Sequence, residues 1–229
     1  MSKPRKSLLI GVDIDGICAD LHTPWLADYN EKWHDTLTLD DLTVWGMHQI
    51  VKPECGQHIY DFLNDATLYE HIEPHAGAVT AVAELQRAGH DVVAITWSYA
   101  EDSLPGKIRW IQRHLNLGRS NIITGERKEL LSLDVLIDDA PHNLQRYRSR
   151  WPLALVLGIA WPYNTVAQSY TDLLAEDYRN TESAWTQLVA CINRRAAPRL
   201  GCNRHLDCAQ KRPDDVCCHV PNCEDCFGK

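Results

Sequence analysis

The strongest constraint on the fold is a series of short, continuous apolar runs that stop at an acidic or hydroxyl residue. Residues 7–12 read Ser7-Leu8-Leu9-Ile10-Gly11-Val12 and end at Asp13. A run of this length without polar alternation suits a strand covered on both faces. Residues 91–95, 121–123, 135–137 and 153–157 read as four more such strands. Residues 74–88 carry Ala78, Val82 and Leu85 at helical spacing, with Pro74 near the start and Gly89 just past the end. Residues 105–117 place Ile108, Ile111 and Leu115 on one helix face, with Asp102 or Ser103 as the cap and Gly118 as the stop. Strands alternating with helices predict an α/β fold, a Rossmann-like three-layer parallel sheet. Ligands of such sheets bind beyond the carboxyl ends of the strands. The residues to inspect are therefore Asp13, Thr96, Thr124, Asp138 and Trp161.

Between the first strand and the helix near Pro74 the connection is far longer than the roughly two to six residues of an ordinary βα loop. A small, mostly helical cap over residues 20–73 is the expectation. Its aromatics, Trp25, Tyr29, Trp33, Trp45, Tyr60 and Phe62, either form the cap's own core or face the cleft beneath it. The main α/β domain is expected to span residues 1–195, followed by a separate tail over 199–229.

Two carboxylates leave the first strand together in Asp13-Ile14-Asp15-Gly16, and the two-residue period sends both to one side. One carboxylate can attack phosphorus and form an aspartyl-phosphate while the other handles protons. Phosphoryl transfer rests on positioning and charge neutralisation, so cationic and hydroxyl donors are needed. Thr96, Ser98, Lys107 and Lys128 can supply them, and Asp138-Asp139 ends another strand. Unpaired carboxylates gathered at a sheet edge repel one another, which points to a cation. Mg²⁺ takes about six oxygen ligands. Asp13, the Asp15 carbonyl and one carboxylate of Asp138 or Asp139 form the expected site.

These segments resemble the haloacid dehalogenase superfamily of phosphatases. Residues 11–20 (Gly11-Val12-Asp13-Ile14-Asp15-Gly16-Ile17-Cys18-Ala19-Asp20) resemble its first motif and Ala94-Ile95-Thr96-Trp97-Ser98 its second. Lys128 matches the third motif and Val135-Leu136-Ile137-Asp138-Asp139 the fourth. Within that superfamily the sequence is most similar to the 5'(3')-deoxyribonucleotidase family. The similarity lies in Cys18-Ala19-Asp20, Lys107-Ile108-Arg109-Trp110-Ile111 and Trp161-Pro162-Tyr163-Asn164, and covers about residues 7–190. The resemblance implies Asp13 as nucleophile, Asp15 as acid and base, and Thr96 and Lys128 as phosphate holders. The family usually has Thr-Ser-Pro where this chain has Thr96-Trp97-Ser98. The expected reaction is Mg²⁺-dependent dephosphorylation of a nucleoside monophosphate, with a deoxyribonucleotide as the first choice. Trp97, Ser98 and Lys107 of the core, with Trp25, Tyr29 and Trp45 of the cap, are the candidate substrate-binding residues. His142, just after Asp139, is a further candidate at the cleft mouth. A sugar phosphate or a polynucleotide 3'-phosphate is the alternative substrate.

Cysteine marks the tail: six of the nine lie at 202, 208, 217, 218, 223 and 226. The spacing Cys202-x2-His205-x2-Cys208, then Cys217-Cys218-His219, then Cys223-x2-Cys226 suggests a structural Zn²⁺ site. The expected ligands are Cys202, Cys208, Cys223 and Cys226, with Cys217 and His205 as substitutes. Zinc tails also suggest a nucleic-acid-binding module. From residue 196 onward, however, five Lys and Arg face five Asp and Glu, on a chain of net charge −8. That balance lacks the phosphate-neutralising surplus such a role needs. The longest apolar stretch, residues 151–161, falls short of the ~20 residues of a membrane span, and the basic start leads into Asp13 rather than a cleavage site. A cytoplasmic protein without a membrane partner is the expectation, with a homodimer compatible with it.

Overall fold

The computed structural model describes residues 6–175 and 177–197. The proposed zinc ligands Cys202, Cys208, Cys223 and Cys226, with Cys217 and His205, lie outside the described residues. Six strands form one sheet: β1 (Leu9–Val12), β2 (Asp91–Thr96), β3 (Ile122–Thr124), β4 (Val135–Ile137), β5 (Leu155–Ile159) and β6 (Leu173–Ala175). Their order is β3-β2-β1-β4-β5-β6, and every neighbouring pair is parallel. The central strands are apolar throughout because both faces are covered: Ile10, Ala94, Val135, Leu136, Ile137, Val156 and Leu157 are all buried.

The flanking helices are α3 (Ala78–Arg87), α4 (Leu104–Leu115), α5 (Pro141–Arg150) and α6 (Thr181–Ala196). In α3 the buried residues Ala78, Ala81, Val82 and Leu85 make a single inward stripe. The helix starts later than the expected residue 74, and the reason is local. Pro74 forms an antiparallel bridge with Ala19, and Gly77 adopts φ 85°. A side chain on Gly77 would come within 2.9 Å of the Glu182 backbone in α6, so glycine is required there. In α4, Pro105 lies in the first turn, and Asn116 ends the helix in the left-handed region.

The long insert after β1 carries α1 (His22–Trp33) and the short α2 (Leu68–His71). Between them run 3-10 turns at Leu39–Asp41, Met47–Gln49 and Gly56–Asn64. Apart from α1 and the single-turn α2, then, the expected mostly helical cap is built from turns. Its stems are tied together, since Asp20 N–H donates to the Glu73 carbonyl and His75 N–H to the Cys18 carbonyl. Among the described residues no helix is long and apolar enough to cross a membrane.

Candidate active site

The four aspartates emerge from the two central strands. Asp13 follows β1, and its N–H donates to the Ile137 carbonyl at 2.9 Å, which carries the pairing one residue past the strand. Asp138 follows β4 and its N–H donates to the Leu157 carbonyl in the same way. The chain after Asp13 then turns sharply: Gly16 has φ 70°, and Cys18 and Ala19 both donate to the Ile14 carbonyl. Two buried indoles pin this turn, Trp161 on the Gly16 carbonyl and Trp185 on the Ile17 carbonyl. A side chain at position 16 would come within 2.4 Å of the Asp139 carboxylate, so the turn can approach the acidic cluster only as glycine.

Lys128, in a 3-10 turn over Lys128–Leu130, is buried between two of these carboxylates. Its Nζ lies 2.8 Å from Asp13 Oδ2 and 2.7 Å from Asp138 Oδ2. Burial alone would neutralise such a lysine, but the two carboxylates more than offset it and raise its pKa. Asp13 is pushed up to about 7, chiefly by burial; Lys128 opposes the rise and Asp138 adds to it. Asp138 is fully engaged, accepting also from the Ala140 N–H and from Asn143 Nδ2. Asp139 accepts from the Tyr163 hydroxyl through Oδ2, while its buried Oδ1 has no hydrogen-bond partner among the described residues. Burial, then Asp13 and Asp138, holds the Asp139 carboxyl well above the usual carboxylate range.

Oxygen atoms of Asp13, Asp138 and Asp139 lie within 4.8 Å of one another. Three buried hard oxygen donors, one with an orphaned lone pair and two with carboxyls raised by burial and then by repulsion from their neighbours, fit a divalent cation such as Mg²⁺. Asp15 stands apart, with Oδ2 2.7 Å from Lys107 Nζ of α4 and Oδ1 accepting from the Tyr69 hydroxyl at 2.7 Å. Lys107 Nζ also donates to the Trp97 carbonyl at 2.6 Å.

Above the carboxylates opens a cleft of about 280 Å³. Its floor holds Asp13, Asp15, Lys107, Lys128 and Asp139, with Ser98, His142 and Asn143 at the sides. The cap supplies an apolar wall that includes Leu42, Val44, Met47, Leu63 and Leu68. Trp45 is 46% exposed and packs edge-on against His142 and Tyr163. Trp97 is 48% exposed and meets Tyr99 edge-on, and Tyr99 stacks on Tyr60 of the cap. Trp25 reaches the cleft but is mostly buried, with its indole N–H donating to the Ile59 carbonyl.

Two expected residues sit elsewhere. Tyr29 is buried in the cap, where its hydroxyl donates to Asp35 and accepts from the Lys52 N–H; it lies off the cleft, because the cap needs that hydroxyl for its own turns. Thr96 is buried at the end of β2, with its hydroxyl turned to the Trp97 carbonyl at 3.4 Å, and does not line the cleft. Tyr69, Asn143 and Tyr163 were assigned no site role from sequence, yet each holds one of the acidic side chains. Asn143 lies one helical turn beyond Asp139, a spacing that could have flagged it; Tyr69 carried no comparable signal.

A parallel sheet that presents this carboxylate cluster at its strand ends, under a cap inserted after the first strand, defines a haloacid dehalogenase-type phosphatase. The chain is therefore a phosphoric monoester hydrolase. The family model described as "5' nucleotidase, deoxy (Pyrimidine), cytosolic type C protein" matches residues 6–177, most of the chain, and the chain belongs to that family. The 5'(3')-deoxyribonucleotidase of Clostridium acetobutylicum is 34% identical over 151 residues, 65% of this chain and 79% of the relative. Among solved structures, a haloacid dehalogenase-like family hydrolase from Xanthomonas campestris aligns with a TM-score of 0.52 at 16% identity, over 84% of this chain and 98% of its own. A hydrolase of the same superfamily from Deinococcus radiodurans, with bound phosphate and sodium, aligns with a TM-score of 0.51 at 12% identity, over 80% of this chain and 96% of its own. These structural likenesses establish the fold alone.

Proposed function

We propose that the protein dephosphorylates nucleoside monophosphates, deoxyribonucleotides first among them, through an aspartyl-phosphate on Asp13. The observation that carries this reading is the pair of strand-end carboxylates, Asp13 and Asp15, each bound to its own buried lysine at the floor of an aromatic-rimmed cleft. In the first step an Asp13 oxygen bonds to phosphorus and the ester P–O bond breaks, while Asp15 gives a proton to the leaving oxygen. In the second step water attacks the same phosphorus and Asp15 takes the water's proton. The bond to Asp13 then breaks, releasing inorganic phosphate. Lys128 and Lys107 offset the phosphoryl charge, with Ser98 as a hydroxyl donor at the cleft side.

Asp13 and Asp139 would hold Mg²⁺, with Asp139 favoured over Asp138 because its Oδ1 is free while every oxygen of Asp138 is engaged. Mg²⁺ bound there supplies further charge neutralisation for the phosphoryl oxygens.

The cap wall favours a nucleotide over a sugar phosphate. Leu42, Val44, Met47, Leu63 and Leu68 offer no partners to the hydroxyls of a sugar phosphate, and burying an unpartnered hydroxyl costs roughly 1–3 kcal/mol. Exposed rings of Trp45, Trp97 and Tyr99 suit the flat face of a base instead. The test is phosphate release from a panel of ribo- and deoxyribonucleoside monophosphates with Mg²⁺. Release from the deoxyribonucleotides supports the reading, and no release from any member of the panel overturns it.

A further inference from the structure

Asp15 must present its carboxyl group to the leaving oxygen in a defined orientation, and the structure shows what fixes it. Oδ2 is held from the core by Lys107, whose side chain is 1% exposed. Oδ1 is held from the cap by the Tyr69 hydroxyl. Among the described residues no other cap group is hydrogen-bonded to the side chain of any of the four aspartates. The ring that carries the hydroxyl is itself immobilised. Tyr69 is 3% exposed. Lys107 Nζ lies 5.1 Å from its ring centroid, Arg113 donates to its backbone carbonyl, and α4 approaches so closely that a side chain on Gly106 would lie 3.6 Å from Tyr69 Cβ.

We propose that Tyr69 is a positioning residue for Asp15, a cap-borne hydroxyl that orients the carboxyl group for proton transfer to the leaving oxygen. The two donors pin both oxygens, so rotation of the carboxyl group about its bond to Cβ is blocked from two sides. Without the hydroxyl, Oδ1 keeps no partner and Lys107 alone is a single pivot. Proton transfer depends on this alignment, whereas attack by Asp13, which Lys128 and the Ile14 N–H hold, does not touch Tyr69. The inference rests on the proposed roles of Asp13 and Asp15.

The test exploits the leaving group. A nucleoside leaves as an alkoxide and needs the proton from Asp15, whereas p-nitrophenolate departs as a stable anion without it. In Tyr69→Phe, kcat/KM, which reports the steps up to departure of the leaving group, is expected to fall about tenfold or more with a nucleoside monophosphate and less than about threefold with p-nitrophenyl phosphate. Asp15→Asn sets the scale, with the same selectivity and a larger loss. Equal losses on the two esters show a merely structural role and overturn the proposal, as does an undiminished rate on the nucleotide. Tyr69→Met, which also lacks the hydroxyl, must show the same selectivity; it substitutes for Tyr69→Phe should that variant melt well below the wild type. Wild-type protein that hydrolyses no nucleotide defeats the proposed function instead. The Tyr69 comparison is then run with glycerol phosphate as the alkyl ester.

Discussion

The floor of the cleft and its roof are built on opposite plans. On the floor the charged groups are held, and all but Asp15 are buried: Lys128 bridges Asp13 and Asp138, Tyr163 binds Asp139, and Asn143 binds Asp138. The aspartates Asp13, Asp138 and Asp139 leave strand ends whose register is locked by the parallel ladder. The roof is made largely of 3-10 turns and apolar side chains, and Trp45 on it is half exposed. Under the proposed function the contrast divides two tasks between floor and roof. Transition-state charge needs donors fixed to a fraction of an ångström, which the sheet provides, while a flat base needs only a surface to lie on. The division predicts that floor mutations act on turnover and stability and that roof mutations act on binding.

The largest effect belongs to Asp13. In Asp13→Asn, phosphate release should fall by a factor on the order of 10⁴ or more, since no nucleophile remains, while the melting transition persists because Lys128 keeps Asp138. A variant that still turns over would move the nucleophile off the floor and break the division outright. Next comes Lys128→Met, which strands two buried carboxylates. Removing one partner of a buried ion pair costs about 3–5 kcal/mol, to be read as a lowered urea midpoint. The loss should be smaller below pH 7, where Asp13 can take up a proton. A midpoint equal to the wild type's would mean that Lys128 is not what holds the cluster together.

A cation should act on the same cluster with the opposite sign. In the metal-free protein Asp13 titrates at about 7 rather than 3.8, with Asp139 also raised. Between those values the folded site retains protons that the unfolded chain has released, so raising the pH through that window removes stability. Mg²⁺ bound to these carboxylates would replace those protons, and at a concentration 100-fold above its Kd it would add about 2.7 kcal/mol. That amounts to roughly 5–10 °C in Tm for a chain of this size. The gain should be larger at pH 8 than at pH 5. A gain of equal size at both would show that Mg²⁺ binds away from these carboxylates.

What could be read from the sequence follows the same boundary. Asp13, Asp15 and the Asp138-Asp139 pair were legible because buried strands announce themselves as apolar runs and their ends are where a parallel sheet places ligands, whereas Lys128, in a 3-10 turn, was marked by the motif it resembles. Other core elements were hidden for want of a signal. In α5, only Leu144 and Tyr147 are buried apolar residues among arginines and other polar side chains, and β6 has only three residues. The cap was opaque because its turns have no period from which to read a face. Tyr29 and Tyr69 look alike in sequence, yet one serves the cap's own packing and the other reaches Asp15. Trp25 and Trp45 are likewise separated only by burial.

That last pair gives the smallest effect and the sharpest test of the roof. Trp45 is half exposed and meets its neighbours edge-on, so removing it leaves no cavity and should change stability by no more than about 0.5 kcal/mol. If its ring stacks on the base, Trp45→Ala forfeits a contact worth roughly 1–3 kcal/mol. Such a loss should appear as a KM for nucleoside monophosphates raised about tenfold, with kcat within about twofold of wild type, because binding is lost equally from ground and transition states. Trp25→Ala should behave differently. Its ring packs against Tyr60 and Phe62 and donates to Ile59, so it should cost about 3–5 kcal/mol of stability. Steady-state kinetics and thermal melts of the two variants, run side by side, decide the matter. Should Trp45→Ala lower kcat as much as it raises KM, the roof takes part in the chemistry, and the separation of catalysis below from recognition above is lost.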